Sequence, residues 1–198
     1  MALAVSLTAV PAQEIANPGF EEPSLEAKNL QVATGVDTHA PEEGWIFGLD
    51  AGICRAGGSY AEGVEAAEGS QVAFLKGVSA SPETSGRGAP SGVFGAKLRG
   101  LEAGAEYEIE WVQTGSMLQG GMGAVTTIIT DPEKPGSRIA NMNRVETKGE
   151  WVKCSVKFRA TSPVMQLHLA HSIPGISKGQ ADGSEVTLLD DFRIRRLE

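Results

Sequence analysis

Glu106, Glu108 and Glu110 stand two residues apart in a run that alternates in polarity, so on a strand they project from one face. Paired carboxylates hydrolyse glycosidic bonds when they lie about 5–5.5 Å apart for retention or about 6.5–9.5 Å apart for inversion, and same-face neighbours fall near that range. The segment Trp151 to Arg159, however, sets Lys153, Lys157 and Arg159 on one parity, and a cross-strand charge ladder accounts for both faces more simply. The histidines converge no better. His168 and His171 are three apart on a predicted strand and so face opposite sides, while His39 falls in a loop. His168 shares parity with Gln166 and points away from Leu167 and Leu169, which makes it a candidate for a binding face. No HExxH pair or P-loop occurs, and Gly120-Gly121-Met122-Gly123 lacks the lysine that phosphate binding needs.

Asp190 is the acid whose surroundings demand an explanation. Val186, Leu188, Asp190, Phe192 and Ile194 share one strand parity, and Thr187, Leu189, Asp191, Arg193 and Arg195 share the other. Asp190 is therefore expected on the core face, with Asp191 toward solvent near Arg193. A buried carboxylate is costly unless it is paired, hydrogen-bonded or bound to a metal. Calcium is one candidate partner, because it takes six to eight oxygen ligands. Backbone N–H donors, Arg55 or Lys97 are the others.

These residues must be positioned by strands. Twenty-five glycines and ten prolines punctuate short alternating runs, and no long segment holds a helical period. Strands are predicted at Trp45 to Leu49, Ile53 to Ala56, Gln71 to Lys76, Val93 to Arg99, Ala105 to Gly115, Val125 to Thr130, Trp151 to Arg159, Val164 to Ala170 and Val186 to Arg195, with a further N-terminal strand opened by Asn17 to Glu21. The economical architecture is an all-β sandwich of two antiparallel sheets. The stretches Val78 to Ser91, Ser116 to Gly123, Asp131 to Thr147 and Pro174 to Ser184 read as loops at its ends.

The 198 residues fit one domain, taken as 14–198, and the formal charge of −8 argues against nucleic acid. Residues 1–13 are apolar and rich in small side chains, and Val10-Pro11-Ala12 resembles a signal-peptidase site. They read as the remnant of an export signal or as an N-terminal extension of a secreted or cell-surface protein. No run is long enough for membrane insertion. Cys54 and Cys154 form either one bridge or two buried thiols. Aromatic residues stack on the apolar faces of sugars. Tyr107 and Trp111 have core parity, whereas Trp45 and Tyr60 border glycine-rich turns and are the candidate ligand contacts.

Asn17-Pro18-Gly19-Phe20-Glu21, Gly44-Trp45, Ala67-Glu68-Gly69-Ser70-Gln71, Ala103-Gly104-Ala105-Glu106-Tyr107 and Asp190-Asp191-Phe192, in that order, resemble the carbohydrate-binding-module, galactose-binding-like jelly rolls. The resemblance spans about residues 14 to 196. It implies a jelly-roll sandwich and a polysaccharide or glycan ligand, with terminal strands that lie together around a structural calcium. Carried onto this chain, Glu21 and Asp190 become side-chain ligands of Ca2+, assisted by carbonyls or the Gln71 amide. The expectation is a non-catalytic carbohydrate-binding domain. A calcium-stabilised surface domain that binds protein, marked by an exposed apolar patch, is one alternative. An enzyme resembling the indole-alkaloid cyclases, with an acid in an apolar pocket, is the other.

Overall fold

Alternation of apolar and polar residues sets the face each strand buries, and pairing then stacks those faces into two layers. The computed structural model describes residues 14–22, 24–25, 30–33, 44–48, 51–58, 60–77, 92–116, 123–134, 136, 138–145, 149–171 and 186–198. Its strands are β1 (Leu30–Ala33), β2 (Trp45–Gly48), β3 (Ala51–Arg55), β4 (Gln71–Lys76), β5 (Val93–Leu98), β6 (Glu106–Gly115), β7 (Gly123–Thr130), β8 (Arg138–Val145), β9 (Val152–Arg159), β10 (Met165–His171) and β11 (Val186–Arg196). One sheet has the order β1-β3-β4-β11-β6-β9 and the other β2-β5-β10-β7-β8. Every pairing is antiparallel. The all-β jelly-roll sandwich expected from the sequence is the observed fold.

Three elements differ from the sequence reading. Asn17 to Glu21 is a turn; the nearby pairing is an isolated bridge between Glu14 and Arg99. The Asn17 side chain closes this turn, accepting from the Glu22 N–H at 3.0 Å and donating to the Glu22 carbonyl at 2.5 Å. Inside the predicted loop Asp131 to Thr147 lies β8, an edge strand whose sequence RIANMNRV lacks clean alternation. The short edge strand β1 was likewise unmarked. Residues 1–13, His39 and the predicted loops 78–91 and 174–184 lie outside the described residues.

Aromatic side chains fill the space between the sheets. Phe20, fully buried, sits 4.9 Å from Trp45 and meets Phe94 and Phe192 edge-on at 5.9 and 5.7 Å. Trp111 stacks on Phe192 at 5.7 Å with an interplanar angle of 8°. A second apolar layer covers the outer face of the six-stranded sheet. There Cys54, Val72, Phe74, Val186 and Leu188 pack beneath Ala61 and Val64, with Tyr60 and Trp151 at the rim. Cys54 belongs to this outer cluster and Cys154 to the inter-sheet core, so the sheet separates two free thiols.

The glutamates of β6 form a cross-strand charge ladder, with Arg159 as the expected partner from β9 and Arg195 of β11 as a further one. Glu106 pairs with Arg159 at 3.0 Å, and Arg195 on the other neighbouring strand reaches Glu108 at 2.6 Å and Glu110 at 3.4 Å. Its bond to Arg195 is the main reason the Glu108 carboxyl lies below the ordinary carboxylate range. Among the described residues no helix is long and apolar enough to cross a membrane.

Candidate functional site

Both chain ends converge on the turn before β4. Asp190 is fully buried, and its Oδ2 accepts the N–H groups of Ala67 at 2.8 Å and Glu68 at 2.9 Å. Its Oδ1 accepts the N–H of Asp191 at 2.8 Å. Glu21 Oε1 accepts the N–H groups of Ser70 and Gln71 at 2.8 and 2.9 Å, and Oε2 accepts the Ser70 hydroxyl at 3.0 Å. Gln71 completes the clasp, donating through Nε2 to the Phe20 carbonyl and accepting the Leu25 N–H, both at 2.6 Å. The Phe192 N–H donates to the Pro18 carbonyl at 3.1 Å, tying β11 to the N-terminal turn.

Asp190 does not lie on the core face as expected. A β-bulge interrupts β11 between Asp190 and Arg193, and Asp191 takes φ 51°. Before the bulge, Leu189 faces the inter-sheet core while Val186 and Leu188 face the outer cluster; after it, Phe192 returns to the core. One inserted residue exchanges the two faces. Asp190 thus lies under the 67–71 turn, while Asp191 pairs with Arg193 at 2.8 Å as predicted. Asn17 and Phe20 also have positive φ, 52° and 59°, so three non-glycine residues of the clasp hold the left-handed region. Such conformations persist where surrounding contacts over-determine them.

The structure brings Glu21, Gln71 and Asp190 together, but through N–H donors. Asp190 Oδ2 and Glu21 Oε1 each take two donors, whereas Asp190 Oδ1 and Glu21 Oε2 take one apiece. Two oxygens with remaining acceptor capacity are a small part of the six to eight that Ca2+ takes. Among the described residues no group of three or more His, Cys, Asp or Glu side chains converges to hold a metal.

The proposed aromatic contacts have other duties. Trp45 is 7% exposed, packs on Phe20, Phe94 and Phe192, and donates its ring N–H to the Asn17 carbonyl at 2.8 Å. It presents no face to a ligand. Tyr60 is half-buried and lies against Phe74 at 4.6 Å in the outer cluster. An open cleft of 580 Å³ lies beside that cluster, with Arg55, Val64, Glu65, Ala66 and Ser70 among its lining residues. Tyr60 is not among its lining residues.

His168 sits differently. The burial of β10 alternates strictly, placing His168, Gln166 and Ala170 on the outer face of the five-stranded sheet. Pairing aligns Ile46, Gly95, His168 and Ile128 in one row, and Lys97, Gln166 and Thr130 in the next. All but Gly95 are half-buried. A side chain at Gly95 would meet the Leu167 carbonyl at 2.5 Å and His168 Nδ1 at 3.2 Å, so glycine is what lets the imidazole rest there. Burial holds the His168 pKa below its usual 6.5. The ring is therefore neutral at physiological pH, with one nitrogen donating and one accepting. The sequence reading found His168 but not its neighbours on β2, β5 and β7, because parity is written within a strand and pairing is not.

Solved structures share this architecture, two of them over nearly their whole length. A family 61 carbohydrate-binding module in complex with β-1,4-galactotriose is 14% identical, with 91% of this chain and 96% of that one covered at a TM-score of 0.53. A family 4 module is 15% identical, covering 93% and 100% at a TM-score of 0.50. The fold is that of the carbohydrate-binding-module jelly rolls. No protein-family model matches the sequence, and no curated protein does either. In this jelly roll the terminal clasp fixes the six-stranded sheet, leaving the outer face of the five-stranded sheet as the surface that presents a mixed polar and apolar row.

Proposed function

We propose that this protein is a non-catalytic carbohydrate-binding domain that meets polysaccharide outside the cell, with the His168 row as its platform. The observation that supports this reading is the combination on one sheet face of a neutral imidazole, the Gln166 amide, the Lys97 ammonium and the Thr130 hydroxyl beside apolar Ile46 and Ile128. Sugar hydroxyls both donate and accept, and neutral histidine and glutamine do the same. Ile46 and Ile128 offer apolar contact to the C–H face of a ring in place of aromatic stacking. Glycan-array binding and retention on insoluble β-galactans and xylans test the reading. Gln166→Ala and His168→Ala should each lose about tenfold in affinity, the worth of one net hydrogen bond to a buried partner. Retention unchanged in both variants would overturn the platform, and folded parent protein that retains no glycan would overturn the function.

Structural calcium is a second, separable part of the proposal. Asp190 Oδ1 and Glu21 Oε2 would supply its side-chain oxygens, with carbonyls and water completing the sphere. A midpoint of thermal unfolding that rises with calcium and falls with chelator in the parent, but moves in neither case in Asp190→Ala, is the expected result. The adhesive alternative needs an exposed apolar patch, and Val152 is the large apolar residue that the described surface exposes. For the cyclase-like alternative, Asp190 is held by three backbone amides instead of standing alone in an apolar pocket.

A further inference from the structure

Four polar side chains occupy inward positions at one end of the sandwich, in addition to Gln113, which is bonded to Trp111. His171 ends β10 with the parity of the core residues Met165, Leu167 and Leu169; it is 4% exposed, and neither ring nitrogen has a hydrogen-bond partner among the described residues. Thr127 shares the inward parity of Val125 and Ile129 on β7, and Thr187 that of Leu189 on β11. Both threonines are fully buried, and among the described residues both hydroxyls are without partners. On β8, Nδ2 of Asn143 is buried in the same condition.

Register brings these groups together. His171, Val125 and Asn143 form one row across β10, β7 and β8, and Leu169 and Thr127 begin the next. With strands about 4.8 Å apart, this wall spans roughly 10 Å. Thr187 faces it from the other sheet, because β11 lies across from β7. Gly115, paired with Thr187, adds no side chain to that opposite wall.

A buried polar group without a partner costs about 1–3 kcal/mol, and four at one place are not explained by packing. Their chemistry specifies what they would bind. Burial pushes the His171 pKa down to about 4, so its ring is neutral, with one donor and one acceptor. Two hydroxyls and an amide donor complete an uncharged set able both to donate and to accept. None of the four carries a charge to meet an ion. A neutral molecule with several hydroxyls matches each group in turn.

We propose that this end of the inter-sheet space is a second binding site for a single hydroxyl-rich, uncharged unit, either a free monosaccharide or the end of a glycan chain, held by Thr127, Asn143, His171 and Thr187. It is separate from the sheet-face platform, since His168 and His171 have opposite parity, and it stands whether or not that platform binds glycan. The test follows the imidazole nitrogens of the full chain by 1H–15N correlation during titration with galactose, glucose, xylose and mannose, then with galactotriose. A saturable shift of His171 that persists in His168→Ala supports the site. Response to free sugars identifies a monosaccharide, and response to galactotriose alone identifies a chain end. Thr127→Val and Thr187→Val should each weaken the response about tenfold while raising the thermal midpoint of the sugar-free protein, because a methyl replaces an unpartnered hydroxyl. His171 unmoved by every sugar would overturn the proposal. A lowered midpoint in both valine variants would do the same, by showing that the hydroxyls are already satisfied.

Discussion

Asp190→Asn asks whether the clasp carries its carboxylate at a net cost. Burial pushes the Asp190 pKa from 3.8 to about 6, outweighing the opposing pull of the Glu68, Asp191 and Ala67 amides. At about 1.36 kcal/mol per unit, this rise of about two units corresponds to ~3 kcal/mol. Because the folded state holds the proton more tightly than the unfolded chain, that stability is fully present below 3.8 and is lost as pH rises through about 6. Asparagine does not titrate. The stability of the parent relative to the variant should therefore fall by ~3 kcal/mol between about pH 3.5 and about pH 7. A constant offset lies beneath this slope: the asparagine oxygen can keep the Ala67 and Glu68 donors, but its NH2 then faces the Asp191 N–H, a conflict of about 1–3 kcal/mol. Urea unfolding in chelator across this range, with 13C titration of the Asp190 carboxyl, measures both. A carboxyl midpoint at or below 3.8, with the difference rising with pH, would show that the three amides outweigh burial and refute the reasoning. Calcium held at Oδ1 would favour the ionised form and lower the midpoint, so an identical titration with and without calcium would remove the calcium proposal.

Gly69 has φ +64°, and a side chain there would run into the Glu21 carboxylate, so Gly69→Ala should lose about 3 kcal/mol through backbone strain and broken clasp bonds. Gly57→Ala, at φ +74° beside open space, is its control and should lose only ~1 kcal/mol; equal losses in urea unfolding would show that the clasp contact is unimportant. Glycan retention at the His168 platform should hold as pH falls to 6.5 and decline only in more acidic buffer, where the ring loses its acceptor; a decline centred above 6.5 would assign the pH response elsewhere. Burial pushes Cys54 up to about 12 and Cys154 up to about 11, so an aromatic disulfide reagent should label neither thiol in folded protein and both in urea. Rapid labelling without denaturant would contradict their burial.

The sequence declared most of this fold because its strands alternate strongly. β4 runs over the predicted residues, and β6, β9, β10 and β11 differ from their expected limits by no more than one residue at either end. What was hidden was two-dimensional. Parity alone put Asp190 with Leu188 and Phe192 on one face, but the bulge at Asp191 moves Phe192 to the opposite face from Leu188. A one-residue bulge leaves no mark in period-two counting when apolar residues flank it on both parities, as Leu188, Leu189 and Phe192 do here. The outer cluster hid the rest: a sheet with both faces covered makes an acid buried on either face look like a core acid. The same blindness affects binding residues. His168 was legible from its own strand, whereas the Gly95 that accommodates it lies on β5, five strands earlier in the chain, and becomes meaningful only through the pairing of β5 with β10. Trp45 was misplaced for the complementary reason. A tryptophan after glycine resembles a loop aromatic, but Phe20 enters the core from the N-terminal turn in a left-handed conformation and covers Trp45. The motif Asn17 to Glu21 thus acts twice: Glu21 grips the 69–71 turn while Phe20 completes the aromatic core, which is why one short segment can hold both ends of the jelly roll.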